Sequence, residues 1–210
     1  MHLLLDAAAG RQHGVVSSQD LRRAGFGDGE VRTLVSRGEW VRLRRGAHIS
    51  ASALAAAASA GARHRIDATA VLLTLDRPST VLSGYSAAVL HGLPTPRSMQ
   101  GCVTLTDPHQ HRRGSGYEAT CAPLPASSTE LVSGLPVTSL ARTVTDVART
   151  WPLEAAVVVA DAARWQDRLT AAQLRTAVDD VVGWREPPLP AASGTWLATA
   201  PSPRWRPAPA

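Results

Sequence analysis

Residues 41–50 read VRLRRGAHIS, with Arg42, Arg44 and Arg45 inside four positions and Gly46 immediately after them. The stretch otherwise alternates like a strand. A guanidinium is a planar fork of donors that stays charged and matches phosphate or carboxylate oxygens. Three of them on so short a ribbon suit contact with a polyanion. Just upstream, Arg32, Thr33, Ser36 and Arg37 fall at spacings that place them together on one side of a helix. Side chains of these types can address base edges in the major groove, where a good bidentate pair gives about 1–3 kcal/mol of discrimination.

Other constellations carry less. His109 and His111 form an H-x-H pair, with Arg112 and Arg113 following in the same segment, DPHQHRRGSG. No Cys, Glu or third His stands at a ligand spacing, so a polar loop is expected and not a metal site. The same loop can serve as a second phosphate-contacting element. Ser83, Ser86 and His91 lack the G-x-S-x-G elbow of a serine nucleophile; Ser83 reads as a helix cap and His91 as a structural histidine. Asp179 and Asp180 read as surface charge. Neither a phosphate-binding G-x-x-x-x-G-K-[ST] loop nor a G-x-G-x-x-G fingerprint occurs. Cys102 and Cys121 have no C-x-x-C spacing and are expected to be small buried apolar groups. No catalytic residue, metal site or cofactor is expected.

The elements around the arginines follow from local signals. Leu3 to Gln12 reads as a helix ended by Gly14, and Val15-Val16 as a short extended piece. Ser17 caps a second helix, with Asp20 three residues on, and Gly25 closes it. Asp28 is expected to cap a third helix ending at Gly38, with Val31, Leu34 and Val35 on its apolar face. Trp40, Val41 and Leu43 then enter a hairpin that turns near Arg44-Arg45-Gly46 and returns through His48-Ile49. Three short helices and a basic ribbon make a winged helix-turn-helix. Its third helix enters the major groove and its wing lies along the backbone.

The remainder reads as mixed α and β, with a small antiparallel sheet and several helices. A buried helix is expected through RHRIDATAVLLTL, stopped at Asp76-Arg77-Pro78. A strand and a helix to His91 follow. CVTLT (102–106) and YEATC (117–121) are expected to form a hairpin with Cys102 opposite Cys121. TELVSGLPVTS gives an extended piece, and helices follow from Ser139, Pro152 and Thr170. From about Arg185 the chain turns rich in Pro and Trp, and a tail outside the packed fold is expected. The fold class is therefore α+β. Residues 1–50 are a winged helix-turn-helix domain, 51–184 a mixed domain, and 185–210 a tail.

Composition agrees with this partition. All 22 basic residues are arginine, and the net charge is +5. Residues 1–65 hold ten arginines against Asp6, Asp20, Asp28, Glu30 and Glu39, which accounts for the whole surplus. A basic N-terminal unit on a nearly neutral remainder fits a nucleic-acid partner. No secretory signal or membrane-spanning apolar run is present. A cytoplasmic location is expected, with both cysteines as thiols.

The segment GVVSSQDLRRAGFGDGEVRTLVSRGEWVRLRRGAHI resembles the N-terminal winged helix of AbiEi-type antitoxins of type IV toxin–antitoxin systems. VLSGYSAAVLHGLP and GLPVTSLARTVTDVART resemble recurrent segments of the actinobacterial members, so the likeness spans roughly residues 5–182. It implies a transcriptional regulator that binds double-stranded operator DNA. It also implies a nucleotidyltransferase-like toxin as protein partner. The positions carried over are Arg32, Thr33, Ser36 and Arg37 of the third helix and Arg42, Arg44 and Arg45 of the wing. Similar chains continue into a very-short-patch-repair-like endonuclease domain, which uses a lysine that this sequence lacks. The expectation is a non-enzymatic remnant of such a gene or a regulator in its own right. Two alternatives to the regulator stay open. One is a protein-interaction module that neutralises a toxin without binding DNA. The other is a truncated endonuclease-family protein without its catalytic domain.

Overall fold

The computed structural model describes residues 3–97, 100, 102–165 and 168–181, so the tail expected from Arg185 lies outside the described residues. The chain begins α1 (Leu3–Arg11), β1 (Val15–Ser17), α2 (Ser18–Arg23), α3 (Asp28–Ser36), β2 (Trp40–Arg44) and β3 (Ala47–Ser50). The three strands form an antiparallel sheet in the order β1-β3-β2. This is the winged helix-turn-helix that the sequence leads one to expect. At the start of α2, the Ser17 hydroxyl accepts from the Asp20 N–H at 3.1 Å and the Asp20 carboxylate accepts from the Ser17 N–H at 2.9 Å. Two orphan helix donors are thereby satisfied. Helix α3 begins one residue earlier than expected. Gly27 is its cap, and Glu30 takes the Gly27 N–H at 2.8 Å. Asp28 is thus the first helical residue, where its carboxylate faces the positive end of the helix dipole.

After α4 (Ala51–Ala56), helix α5 (Ala60–Leu75) runs between two cores. Ile66 and Ala70 pack with Val15, Ala47 and Ile49 of the winged-helix sheet. Ala68 and Val71 pack with Leu82, Leu105, Tyr117 and Val137 of the next sheet. A helix buried on two sides has apolar residues all round and no polar face. That is why RIDATAVLLTL shows so little amphipathic pattern.

The second sheet comprises β4 (Val81–Leu82), β5 (Val103–Asp107), β6 (Arg112–Gly114), β7 (Tyr117–Cys121), β8 (Thr129–Val132) and β9 (Leu135–Thr138). Its order is β6-β7-β5-β4-β9-β8, and it is mixed. The α+β class holds, but this sheet is larger than expected. The expected hairpin between 102–106 and 117–121 is not formed: β5 and β7 are parallel, with Val103 opposite Tyr117 and Asp107 opposite Cys121. The chain leaves β5, passes to the sheet edge, and lays down β6 antiparallel to β7 with Arg112 opposite Ala119. The tight turn at Ser115-Gly116, Gly116 having φ 75°, is the reversal. The symmetric pairing of a ten-residue loop missed it because the loop contains a strand. Cys102 and Cys121 are correspondingly not paired, and both are exposed. The extended piece at 129–138 is a hairpin whose turn residues, Ser133 and Gly134, both have positive φ. That is the turn type that matches strand twist.

Helices α6 (Gly84–Leu90), α7 (Leu140–Thr150), α8 (Leu153–Trp165) and α9 (Ala171–Asp179) complete the described fold. Tyr85, Val144, Val147, Trp151 and Val159 form their common core. Ser83 is the N-cap of α6 by position, but its side chain makes no capping bond. The hydroxyl of Thr104, on β5, does this instead. It accepts from the Ser86 N–H at 3.0 Å and donates to the Ser83 carbonyl at 2.6 Å.

Candidate nucleic-acid interface

Helix α3 lies on the winged-helix core through Val31, which packs against the cluster of Leu5, Val16 and Leu21. Arg32, Thr33, Ser36 and Arg37 are all exposed, as the helical spacing requires. Three of them bond to their own helix. Arg32 Nε donates to the Asp28 carbonyl at 3.1 Å, Thr33 Oγ1 to the Gly29 carbonyl at 3.0 Å and Ser36 Oγ to the Thr33 carbonyl at 2.9 Å. Arg37 stands 3.9 Å from Glu39, both exposed. An exposed pair of this kind contributes about 0–1 kcal/mol and gives way readily to a stronger anion. Arg22 and Arg23, at the end of α2, are exposed as well.

The wing divides its arginines. Strand alternation alone places Arg42 and Arg44 on one face. The register, however, shifts between them: Arg42 is opposite His48 and Arg44 is opposite Ala47. Since 47 and 48 point to opposite faces, the bulge sends the two arginines to opposite faces. Arg42 stays on the side of Val16 and Trp40, which pack with α1 and α2. It is exposed there, beside α3. Arg45 is exposed at the turn. Arg44 goes to the α5 side, where its guanidinium carbon is 5.0 Å from the centroid of the Tyr117 ring. Burial draws the Arg44 pKa down from its ordinary value. The structure thus brings Arg32, Thr33, Ser36, Arg37, Arg42 and Arg45 to solvent around α3 and the wing tip, and sets Arg44 apart.

His48, opposite Arg42, is buried and its Nδ1 has no hydrogen-bond partner among the described residues. Burial, and then the Arg42 charge, hold its pKa below the ordinary histidine value. Its neutral form is thereby favoured next to the basic surface.

The residues weighed for catalysis lie inside the fold. Ser86 is 0% exposed and pairs with His64 at 2.9 Å, not with His91. His91 Nε2 donates to the Thr138 carbonyl at 2.9 Å, joining the end of α6 to β9. The Ser86 hydroxyl is thus closed off from solvent. Asp107, 1% exposed, accepts from the His109 N–H at 2.8 Å and the Thr80 hydroxyl at 3.0 Å, with Arg77 Nε at 3.0 Å. The H-x-H segment is thus ordered by a carboxylate of its own sheet. Among the described residues no group of three His, Cys, Asp or Glu can hold a metal ion. Also among them, no helix is long and apolar enough to cross a membrane.

Sequence reasoning missed Tyr117. Only the parallel pairing of β7 brings it beneath the wing, and the expected hairpin would have placed it elsewhere. The signal available was an aromatic residue following a Gly-Ser-Gly turn.

A three-stranded sheet, a two-helix turn and an exposed arginine-bearing third helix make up a winged-helix fold, an architecture in which the third helix can enter a major groove. Residues 4–51 match the family model of the transcriptional regulator AbiEi antitoxin. The match takes in α1 to β3, the whole winged helix. A comparison with curated proteins gave no match.

Proposed function

We propose that the chain is a DNA-binding transcriptional regulator of antitoxin type, without enzymatic activity. Arg32, Thr33, Ser36 and Arg37 read bases from the major groove, while Arg42 and Arg45 neutralise phosphates beside it. The single observation behind this is that the bulge at Leu43 leaves Arg42 on the α3 side of the sheet, so helix and wing offer cations to one duplex. Arg44 acts from the other side by fixing the wing on Tyr117. Binding releases counterions, and log K falls with log salt at a slope of about −0.9 per phosphate neutralised. Replacing Arg42 and Arg45 together by alanine should flatten that slope by about 1.8, one phosphate for each arginine. A slope identical to that of the unaltered chain removes the wing from the mechanism.

Contact with a partner protein is the second function that an observation favours. Leu153, Val157 and Trp165, one stripe of α8, are 75%, 47% and 90% exposed. A toxin is the partner in general for the family matched at residues 4–51. Co-purification with the product of an adjacent gene, lost in a Val157→Glu variant that still unfolds cooperatively, supports it. Retention of the partner by that variant rules out the stripe.

A further inference from the structure

We infer that the edge strand β6 is a second phosphate-contacting element, that it acts through Arg112 and not Arg113, and that it continues the wing's surface. The inference rests on the DNA-binding function proposed above. Cross-strand partners share a face of a sheet, and alternate residues of a strand return to it. Gly114 is opposite Tyr117, Arg113 opposite Glu118 and Arg112 opposite Ala119. Arg112 therefore shares a face with Gly114, Tyr117 and Ala119, while Arg113 is on the reverse.

That shared face is the one the wing approaches. The Tyr117 ring carries the Arg44 guanidinium at 5.0 Å. The same ring is folded against Gly114 so closely that a Cβ there would lie 2.2 Å from its Cε1. Gly114, Tyr117 and Arg44 thus form one continuous path from the sheet edge to the wing. Arg112 stands two strand positions from Gly114, about 7 Å along β6.

The two neighbouring arginines differ in their engagement. Arg113 Nη2 donates to Glu118 at 2.9 Å, across the strand pair on the reverse face. Arg112 is exposed and makes no ion pair among the described residues. An edge strand ordinarily carries charge to prevent pairing with other chains. Such a role is met by either arginine on either face. It does not account for a cation left unpaired on the face that carries Tyr117 and, over its ring, Arg44 of the wing. A duplex held on the α3 side that reaches round the wing tip would bring its backbone to this strand, and the planar fork of Arg112 matches a phosphate there.

The test uses the full chain and a mixed-sequence duplex of about thirty base pairs, because counterion release does not depend on sequence. Affinity is measured across a salt series for the unaltered chain and for Arg45→Ala, Arg112→Ala and Arg113→Ala. The expected result is a slope flattened by about 0.9 for Arg45→Ala and for Arg112→Ala, and an unchanged slope for Arg113→Ala. Between about 50 and 200 mM salt, each of the first two then loses roughly threefold less affinity than the unaltered chain. An Arg112→Ala slope equal to that of the unaltered chain, with Arg45→Ala flattened, overturns the β6 contact and leaves the wing. Equal flattening by Arg112→Ala and Arg113→Ala overturns the facial assignment. Absence of binding at low salt overturns both this contact and the DNA-binding function.

Discussion

The guanidinium of Arg44 lies over the ring of Tyr117, 5.0 Å from its centroid, and joins the wing to a strand 73 residues further along the chain. A cation over a phenol face is attracted by the ring quadrupole, more strongly as water is excluded. Tyr117 is 5% exposed and Arg44 is half-buried, so the contact is partly desolvated. Arg44→Ala should destabilise the fold by about 1 kcal/mol, seen as a lower urea midpoint, while leaving the salt slope for DNA unchanged. A flattened slope with full stability would put Arg44 on phosphate instead.

Gly114 should tolerate no side chain. The Tyr117 ring stands where a Cβ would go, and the ring is held by its own core cluster. Gly114→Ala should cost about 1–3 kcal/mol through overpacking. Tyr117→Ala should cost about 3–5 kcal/mol through the cavity it leaves. Combining Gly114→Ala with Tyr117→Ala should cost less than the sum of the two, because the smaller residue removes the clash. Strict additivity in a double-mutant cycle would show that the two residues do not press on one another.

Arg142, 2% exposed, donates from Nε to Asp146 at 2.8 Å and from Nη1 to the Pro123 carbonyl at 3.2 Å. Burial keeps the Asp146 carboxyl above its ordinary pKa despite this cation. Removing one member of a buried pair strands the other. Arg142→Ala should therefore cost about 3 kcal/mol, and the double variant Arg142→Met, Asp146→Leu should recover most of it. Chemical denaturation of both variants decides the matter. No recovery in the double variant would mean that stranding Asp146 is not the source of the loss.

Acid should weaken the fold in two stages. His13, His48, His64 and His91 are each held below the ordinary histidine pKa, with burial the largest cause. A group with a depressed folded pKa takes its proton first in the unfolded chain, so stability falls as pH drops below about 6.5. Asp107 behaves the same way at lower pH. Burial alone would raise its pKa, but the His109 N–H, the Thr80 hydroxyl and Arg77 together bring it below the ordinary value. Its contribution is present above pH about 3.9 and is lost as pH falls through the folded value. Urea midpoints from pH 8 to 5 should decline, and a flat profile there would show that the imidazoles titrate freely in the native state.

The winged helix was legible because every signal for it is local. Ser17 with Asp20, the glycines after α2 and α3, and the spacing of Val31, Leu34 and Val35 lie within a turn or two of what they control. The site residues of α3 were legible for the same reason. Two of the departures involve distant pairing. The bulge that separates Arg42 from Arg44 depends on the register with Ala47 and His48, and simple alternation hides it. The parallel β5–β7 pair depends on β6 reaching the far edge of the sheet, and two strands flanking a loop look like a hairpin from sequence alone. The polar partner of Ser86 carried no local signal, since His64 is 22 positions away and on another helix.

Helix α5 serves two cores, and this bears on where the chain can be cut. The segment matched to the family stops at residue 51, yet Val15, Ala47 and Ile49 are roofed by Ile66 and Ala70 from beyond that point. A fragment ending at 51 would carry the family's hallmark sequence with a wet underside. It should lack a cooperative melt, whereas the full chain should melt in one step, because the rod beneath the wing is also the lid of the second sheet.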